Sequence, residues 1–172
     1  MKMKFIFFSL FISGFILSQS INNLDEKNGF KSYKLGTSKL EIEKKFNLKK
    51  YDNEENTYLV VDSPDRNVFN YDVKGTFLTF DKNQKLGLIK IIAESNTGKG
   101  EIGALEPNFR TLFGMETETG SLEKKGDVYQ TWQGKKVNLD VNYLYRGTEK
   151  GWITIIQIYT KSFMSESLNN GF

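Results

Sequence analysis

The stretch Val137–Tyr145 reads VNLDVNYLY, and its alternation of apolar and polar residues decides the fold class. Apolar side chains occupy every odd position, and Asn138, Asp140 and Asn142 stand between them. A period of two places successive side chains on opposite faces of a strand. The stretch therefore predicts a half-buried β-strand whose odd positions face a core and whose even positions face the other side.

Further strands are predicted on both sides of this one, separated by turn residues such as Pro64-Asp65 and Asp81-Lys82-Asn83. Trp152–Thr160 is apolar at both odd and even positions, which is typical of a central strand that is covered on two faces. The predicted strands are Thr57–Val61, Val68–Val73, Gly75–Phe80, Leu86–Ala93, Gly126–Gln133, Val137–Tyr145 and Trp152–Thr160.

Two short helices precede these groups of strands. Ser38 and Glu41 form the pattern of a capping box, followed by Ile42 and Phe46 on one helical face, and Asn47 is expected to stop this helix in a left-handed conformation. Pro107–Phe113 predicts a second helix with proline in its first turn and Gly114 just past its end.

The order of helix and antiparallel strands therefore occurs twice. It predicts an α+β fold of two tandem helix-plus-meander units, which can share one continuous sheet. A weak internal repeat supports duplication, although one α+β domain with similar elements would give the same order. The matched positions are Ile42, Phe46, Asn47, Leu48, Phe80 and Ile89 with Phe109, Phe113, Gly114, Met115, Tyr145 and Ile155.

The first residues have the pattern of an export signal. Lys2 and Lys4 precede the apolar run 5–17, and Ser18 and Ser20 supply small residues for cleavage. The run is shorter than the roughly 20 residues that span a bilayer, so an uncleaved membrane anchor is the less favoured alternative. We expect a periplasmic or secreted product with no membrane insertion once the leader is removed.

These patterns define the expected organisation of the chain. We expect a signal peptide over 1–20, a flexible arm over 21–29, a first α+β unit over 30–95, a linker over 96–103, a second unit over 104–163 and a C-terminal tail over 164–172.

Composition excludes several chemistries. The 172 residues contain no cysteine and no histidine, so disulfides, thiol nucleophiles, imidazole-based triads and Cys/His zinc sites are excluded. The net charge is only +3, and Lys2 and Lys4 contribute to it, so the charge gives no reason to expect a nucleic-acid partner.

No motif predicts an enzyme or a cofactor. Gly98, Gly100 and Gly103 spell G-x-G-x-x-G, but antiparallel strands flank them instead of a βαβ unit, so we interpret this stretch as a linker. The carboxylates considered for acid–base catalysis show no pairing in sequence, and we expect a non-enzymatic protein without cofactor or metal. Those carboxylates are Glu101, Glu106, Glu116, Glu118, Glu123 and Asp140.

The segment Lys34-Leu35-Gly36-Thr37-Ser38, with Phe46-Asn47 after it, is similar to the helix opening of a known group. It resembles the β-lactamase inhibitory proteins and the SmpA/OmlA-type outer-membrane assembly lipoproteins. The resemblance implies a helix followed by an antiparallel meander, and by analogy a role in binding proteins. The chain departs from both groups because it lacks the anchoring cysteine of the lipoproteins and the disulfides of the inhibitory proteins.

Aromatic residues supply the candidate binding site. They make up 14% of the chain, and tyrosine and tryptophan dominate protein-binding hot spots. We expect Trp132, Asn142 and Arg146 on the sheet face that the helices leave uncovered, with Tyr129 as the alternate aromatic anchor. The expected function is binding of another protein, as an inhibitor, immunity or envelope-assembly factor. The alternative is capture of a small apolar ligand between helices and sheet, which requires a sizeable apolar cavity.

Overall fold

The computed structural model describes residues 23–52, 54–95, 100–122, 126–149 and 151–169. The predicted signal peptide (1–20) lies outside the described residues, as do Gly98 of the glycine motif and Glu123 among the candidate carboxylates.

Four helices lie within this part of the chain. They are α1 (residues 23–27), α2 (Lys39–Glu43), α3 (Glu106–Phe113) and α4 (Lys161–Asn169). The strands are β1 (Gly29–Phe30), β2 (Tyr33–Lys34), β3 (Asn47–Lys50), β4 (Thr57–Val61), β5 (Asn67–Val68), β6 (Tyr71–Phe80), β7 (Leu86–Ser95), β8 (Glu118–Ser121), β9 (Val128–Gln133), β10 (Val137–Tyr145) and β11 (Trp152–Thr160).

Nine of these strands form one large antiparallel sheet, which confirms the predicted α+β class. Its order is β3-β4-β6-β7-β11-β10-β9-β8, with β5 paired to β6, while β1 and β2 form a separate two-stranded sheet. One series runs from α2 through β3, β4 and β6 to β7, and a second runs from α3 through β8, β9 and β10 to β11. The last strands of the two series pair at the centre of the sheet.

The central position of β11 explains why its sequence is apolar at odd and even positions. Ile156 and Ile158 point into the main core, whereas Ile155 points to the opposite face. Ile89 points into the core and pairs with Ile158. The proposed match of Ile89 with Ile155 is therefore wrong, because these two side chains lie on opposite faces of the sheet.

The short helices cover the core face of the sheet. The capping box of α2 is present: Ser38 Oγ accepts from the Glu41 N–H, and the Glu41 carboxylate accepts from the Ser38 N–H. α3 buries Phe109 and Phe113 in one cluster with Leu139 of β10. It ends at Gly114, whose φ of 79° favours glycine.

The N-terminal segment differs from the expected flexible arm. Leu24 of α1 is 3% exposed and belongs to the core. Asp25 accepts backbone hydrogen bonds from Lys135, Lys136 and Val137, at 2.8, 2.9 and 2.9 Å. Leu24 and Asp25 thus hold this segment against the core and the β9–β10 turn. The segment is therefore not a free arm.

The C-terminal segment is also more ordered than the predicted tail, because α4 continues from β11 as far as Asn169. The Phe163 N–H donates to Thr160 Oγ1 at 3.2 Å, which starts the helix. The Phe163 ring lies against Gly87, where an added Cβ would approach it to 2.1 Å. Glycine at position 87 therefore makes room for this ring.

Two edge strands were missed. Asn47 begins β3 instead of ending α2 in a left-handed conformation. Glu118 belongs to β8, which is absent from the set of predicted strands. Both strands have four residues and lie at the ends of the sheet, where polar and charged side chains suit an exposed edge.

Candidate functional site

The candidate site is the face of the large sheet opposite the core, here called the outer face. Cross-strand register assigns its members, because directly paired residues project to the same side. Across β7, β11, β10 and β9 it comprises Leu88, Lys90 and Ile92; Ile153, Ile155, Gln157 and Tyr159; Asn138, Asp140, Asn142 and Leu144; and Tyr129, Thr131 and Gln133.

Apolar and polar side chains run across this face in adjacent rows. Ile92 pairs with Ile155, and Ile155 pairs in turn with Asn142. In the next row, Lys90 pairs with Gln157, and Gln157 pairs with Asp140. Both isoleucine side chains are half-buried, and neither belongs to the main core cluster.

The structure brings together two of the predicted site residues. Tyr129 and Asn142 are direct cross-strand partners on the outer face, and both are half-buried. The Tyr129 hydroxyl donates to Glu118 Oε1 at 2.6 Å, and this bond to a carboxylate raises the pKa of Tyr129. Asn142 Nδ2 donates to Gln157 Oε1 at 3.4 Å. These contacts hold both polar side chains in place on the face.

Trp132 does not belong to this face, and its predicted exposure is wrong. It pairs with Leu139, whose side chain points into the core, and only 2% of Trp132 is exposed. Its indole N–H donates to the Gly114 carbonyl at 2.9 Å, and its ring centroid lies 5.6 Å from that of Phe109. The residue is an anchor for α3.

Arg146 follows the last residue of β10 and is exposed. Its backbone N–H donates to the Gly151 carbonyl at 2.7 Å, which closes the β10–β11 connection. Arg146 therefore lies in the connection beyond the paired residues of β10, and not in the row that Tyr129 and Asn142 share.

A polar cluster occupies the outer face beside the isoleucines. The Tyr159 hydroxyl donates to Asp140 Oδ2 at 2.8 Å, and Asn138 Nδ2 donates to the Tyr159 oxygen at 3.4 Å. Burial is the main reason that the pKa of Asp140 is raised, although hydrogen bonds from Tyr159 and Thr131 oppose the change. Burial, together with the neighbouring carboxylate, raises the pKa of Tyr159 to about 12.

Two other candidate carboxylates, Glu106 of α3 and Glu116 just after it, are engaged in ion pairs. Arg110 bonds Glu106 and Glu116 at 2.5 Å each, and Gln130 Nε2 donates to Glu106. The hydrogen bond from Arg110 lowers the pKa of Glu116. This network joins α3 to the segment that follows it, and it leaves these carboxylates fixed by a cation.

The described part of the glycine motif has a structural explanation. Gly100 forms a bridge with Gly151, and an added Cβ would lie 1.8 Å from the Trp152 carbonyl oxygen. Close backbone approach therefore requires glycine at position 100.

The described residues contain no group of three or more acidic side chains placed to hold a metal ion. None of the helices within the described ranges is both long and apolar enough to cross a bilayer.

Sequence reasoning missed the apolar centre of the outer face, formed by Ile92 and Ile155. The signal was available in Trp152–Thr160, because a strand with isoleucines at both odd and even positions must show apolar side chains on both faces. Tyr159 was also missed, since its role depends on a hydrogen bond to a residue on another strand.

No protein-family model matches the chain, and comparison with curated proteins also finds no match. Among solved structures, the chain is similar to a DUF4309 family protein (YjgB) from Bacillus subtilis. The identity is 9% and the TM-score is 0.45, and the match covers 84% of this chain and 95% of that one.

Proposed function

We propose that this chain is an exported, non-enzymatic protein that binds another protein through the outer face of its sheet. The observation that carries the proposal is the composition of that face. Ile92 and Ile155 form a half-buried apolar centre, and the polar pair Tyr129 and Asn142 lies directly beside it. An apolar centre with a polar surround is the usual anatomy of a protein interface.

Charge on this face favours a basic partner surface. Asp140 and Glu118 lie in one cross-strand row, with Thr131 between them. The nearest base in the same row, Lys90, is paired with Glu54 at 2.5 Å. The β8–β10 side of the face is therefore acidic, and a lysine or arginine of the partner would complement it.

Capture of a small apolar ligand has less support. That function needs an apolar cavity of several hundred Å³. The space beneath α3, lined by Leu24, Phe113 and Trp132 among others, has a volume of only about 10 Å³. Close packing there favours binding at the surface over binding in the interior.

Export and the absence of catalysis are parts of the same proposal. Export rests on the basic residues and apolar run of segment 1–20. A binding function without catalysis is supported by the engagement of Glu106 and Glu116 with Arg110. We place the protein in the periplasm or outside the cell.

The test is a pull-down from envelope extract and culture medium of the producing cells. It asks whether recovery of a partner protein depends on the outer face. Immobilised wild type, Ile155→Lys and Leu40→Lys are compared in parallel. Leu40 is 65% exposed on α2, so its substitution adds the same charge away from the outer face. We expect one protein to be recovered by wild type and Leu40→Lys and lost with Ile155→Lys.

The proposal fails if no protein is recovered repeatedly, or if Ile155→Lys recovers the same protein as Leu40→Lys. Circular dichroism of Ile155→Lys and Leu40→Lys checks that each variant keeps the wild-type fold. Native mass spectrometry of the purified chain distinguishes protein binding from capture of a small apolar ligand, because only the second predicts a bound small molecule.

A further inference from the structure

Large apolar side chains are exposed around α3, on the side of the molecule opposite the outer face. Phe69, Leu112 and Met115 are 43%, 36% and 59% exposed. The helix buries Phe109 and Phe113 in the main core, so its exposed side faces away from the sheet. Exposed apolar residues that lie together on a surface indicate contact with another molecule or with a membrane.

Contacts between side chains join these residues into one patch. The Phe69 ring lies edge-on to Phe109 with 5.4 Å between the centroids, and Phe109 stacks on Phe113 at 6.4 Å. Leu112 is three residues after Phe109 and therefore lies beside it on the helix surface. Met115 lines the same small hollow as Phe113. The patch thus extends from the β5–β6 connection along α3 to the segment that follows the helix.

The backbone at Phe69 is unfavourable for a bulky residue. Its φ of 54° lies in the left-handed region, which glycine and asparagine adopt more readily. Such a conformation persists only where the surrounding structure enforces it, and it is most common at functional positions. Because the ring remains exposed, core packing accounts for only part of its contacts. Phenylalanine at this position therefore indicates a role at the surface.

Three exposed lysines lie beside this patch, and none of them pairs with a carboxylate among the described residues. Lys27 lies over the Phe113 ring, with its Nζ 5.6 Å from the centroid. Lys34 Nζ donates to the Lys27 carbonyl at 2.6 Å. Lys31 Nζ donates to the carbonyl of Asn67 in β5, next to the β5–β6 connection. The apolar patch therefore has a basic border.

The acidic residues nearby are too few to neutralise this border. Asp25 binds the turn that carries Lys135 and Lys136, so this contact brings together one acid and two bases. Asp65 accepts a backbone N–H at 3.3 Å, and Glu26 of α1 is exposed. These three acids face five lysines in all, so the region keeps a positive charge.

The α3 surface comprises Phe69, Leu112 and Met115 with Lys27, Lys31 and Lys34. We propose that the α3 surface binds an anionic phospholipid bilayer, with its lysines among the headgroups and its apolar side chains at the boundary with the acyl chains. Lysines near a bilayer are attracted to anionic lipids, whereas lysine is depleted in protein interfaces. Apolar side chains add to the binding by burial at that boundary. The contact is peripheral, because it uses side chains on the surface of the folded chain.

The course of the chain favours a membrane as the occupant of this surface. Asn23 Nδ2, at the start of α1, donates to the Leu112 carbonyl at 3.4 Å. The sequence before Asn23 contains the apolar run 5–17. Under the proposed export, this run enters the membrane before it is removed, and the chain joins the fold beside Leu112. This step rests on the proposed export, whereas the patch and its basic border do not depend on it.

The first test is sedimentation with lipid vesicles. The protein comprises residues 21–172, the expected exported form, which includes every residue that the structure describes. It is mixed with vesicles of one third phosphatidylglycerol and two thirds phosphatidylcholine, and separately with vesicles of phosphatidylcholine alone. We expect saturable binding to the anionic vesicles only. Binding should be lost at about 1 M salt, where the Debye length falls to about 3 Å.

Two triple variants with the same loss of charge locate the binding surface. The test variant is Lys27→Gln/Lys31→Gln/Lys34→Gln. The control is Lys44→Gln/Lys45→Gln/Lys49→Gln, at exposed positions of the α2–β3 region. We expect the test variant to bind anionic vesicles at least tenfold more weakly, because each lysine near a bilayer contributes about fivefold. The control should change binding by less than about twofold.

A dye at a single site gives an independent measure of contact. The chain has no cysteine, so Met115→Cys and Leu40→Cys can each carry one polarity-sensitive dye. Both positions are well exposed, and Leu40 lies on α2, outside the α3 surface. With anionic vesicles, we expect the emission of the dye to shift to shorter wavelength at position 115 and to stay unchanged at position 40.

Phe69→Asn tests the exposed ring without introducing backbone strain. Asparagine suits the left-handed φ at this position. We expect the variant to bind anionic vesicles at least threefold more weakly while its circular dichroism spectrum stays that of the wild type. Unchanged binding would contradict the role of the ring.

The lipid inference fails if anionic vesicles are not bound, if phosphatidylcholine alone is bound equally, or if both triple variants weaken binding equally. It also fails if the dye responds at position 40 and not at position 115. If vesicles are not bound but the lysine variant loses an acidic protein in the pull-down, the α3 surface binds a protein instead.

The lipid inference and the proposed function can fail separately, because they concern opposite sides of the molecule. Ile155→Lys should leave vesicle binding unchanged while it abolishes recovery of the partner protein. If a partner is recovered through the outer face but vesicles are not bound, the proposed function stands and the lipid inference is wrong. If vesicles are bound through the α3 surface but no partner is recovered, the reverse holds.

Discussion

The indole N–H of Trp132 donates a 2.9 Å hydrogen bond to the carbonyl of Gly114, and this bond ties β9 to the residue that ends α3. The Trp132 ring also contacts Phe109 on the same helix. The carbonyls at the end of a helix lack partners within it. Trp132 thus satisfies one of these groups while it fills the core.

Trp152 offers a matched comparison, since its indole N–H donates to the Gly126 carbonyl at 2.8 Å in an exposed setting. We expect Trp132→Phe to lower the free energy of unfolding by about 1–3 kcal/mol, because a partly buried carbonyl loses its donor. Trp152→Phe should lower it by less than about 1 kcal/mol, because water can replace the indole. Urea denaturation measures both; equal losses would contradict the anchoring role of Trp132.

Asp25 makes an N-terminal contact that stabilises the β9–β10 turn. Burial tends to raise its pKa, but bonds from the backbone N–H groups of Lys136, Val137 and Lys135 outweigh burial and leave that pKa below 3.8. Asp25→Asn places an amide donor among these N–H groups, and we expect a loss of about 1–3 kcal/mol in unfolding free energy at pH 7. Glu26→Gln, at an exposed neighbour, is the control.

The pH dependence of this effect has a definite sign. A carboxylate with a lowered pKa stabilises the fold above the pKa of the unfolded chain, near 3.9, and the contribution is lost as the pH falls through the folded value. The difference between wild type and Asp25→Asn should therefore be constant above about pH 5 and should shrink below about pH 4. A difference that grows on acidification would rule out this account.

Much of the fold could be predicted because hydrophobic period is a local property. Thr57–Val61, Val137–Tyr145 and Trp152–Thr160 occur with the predicted bounds, and the Ser38–Glu41 capping box is present. The edge strands β3 and β8 could not be predicted, because their short polar sequences form strands only by pairing with β4 and β9. Each strand depends on pairing with the next strand of the chain, which its own sequence does not reveal.

The site was harder to predict because a face is assigned by register. Turn residues Lys135 and Lys136 set the pairing of β9 with β10, and this register places Trp132 beside Leu139 in the core. The same register places Tyr129 beside Asn142 on the outer face, where their role in binding stays a prediction. A shift of one residue reverses every side chain of a strand. The end of the β4–β6 pairing at Leu59 and Phe77, near a bulge in β6, is likewise not revealed by any periodicity.

Asp140 should show the opposite pH dependence to Asp25. Burial raises its pKa, so the folded protein binds a proton there more tightly than the unfolded chain does. Stability of the wild type relative to Asp140→Asn should therefore fall as the pH rises from 3.8 through the folded pKa, and then stay constant. Denaturation across pH 3–8 measures this difference.

Substitution of Tyr159 tests what controls the pKa of Asp140. Its hydrogen bond lowers the pKa of Asp140 against the effect of burial. We expect Tyr159→Phe to move the ¹³C carboxyl titration of Asp140 to higher pH. A titration that moves to lower pH would show that another group controls the carboxyl.

Ile155 and Ile156 are neighbours in sequence whose side chains lie on opposite faces of the sheet. Substituting each in turn therefore distinguishes an effect on stability from an effect on binding. Ile156 is 1% exposed in the core, and Ile156→Ala should lower the unfolding free energy by about 2–5 kcal/mol. Ile155 is half-buried on the outer face, and Ile155→Ala should cost at most about 1–2 kcal/mol. Partner recovery should show the reverse order: lost with Ile155→Ala and retained by the folded fraction of Ile156→Ala. If Ile155→Ala instead destabilises the fold as much as Ile156→Ala, the outer face is covered in the native protein and is not a docking surface.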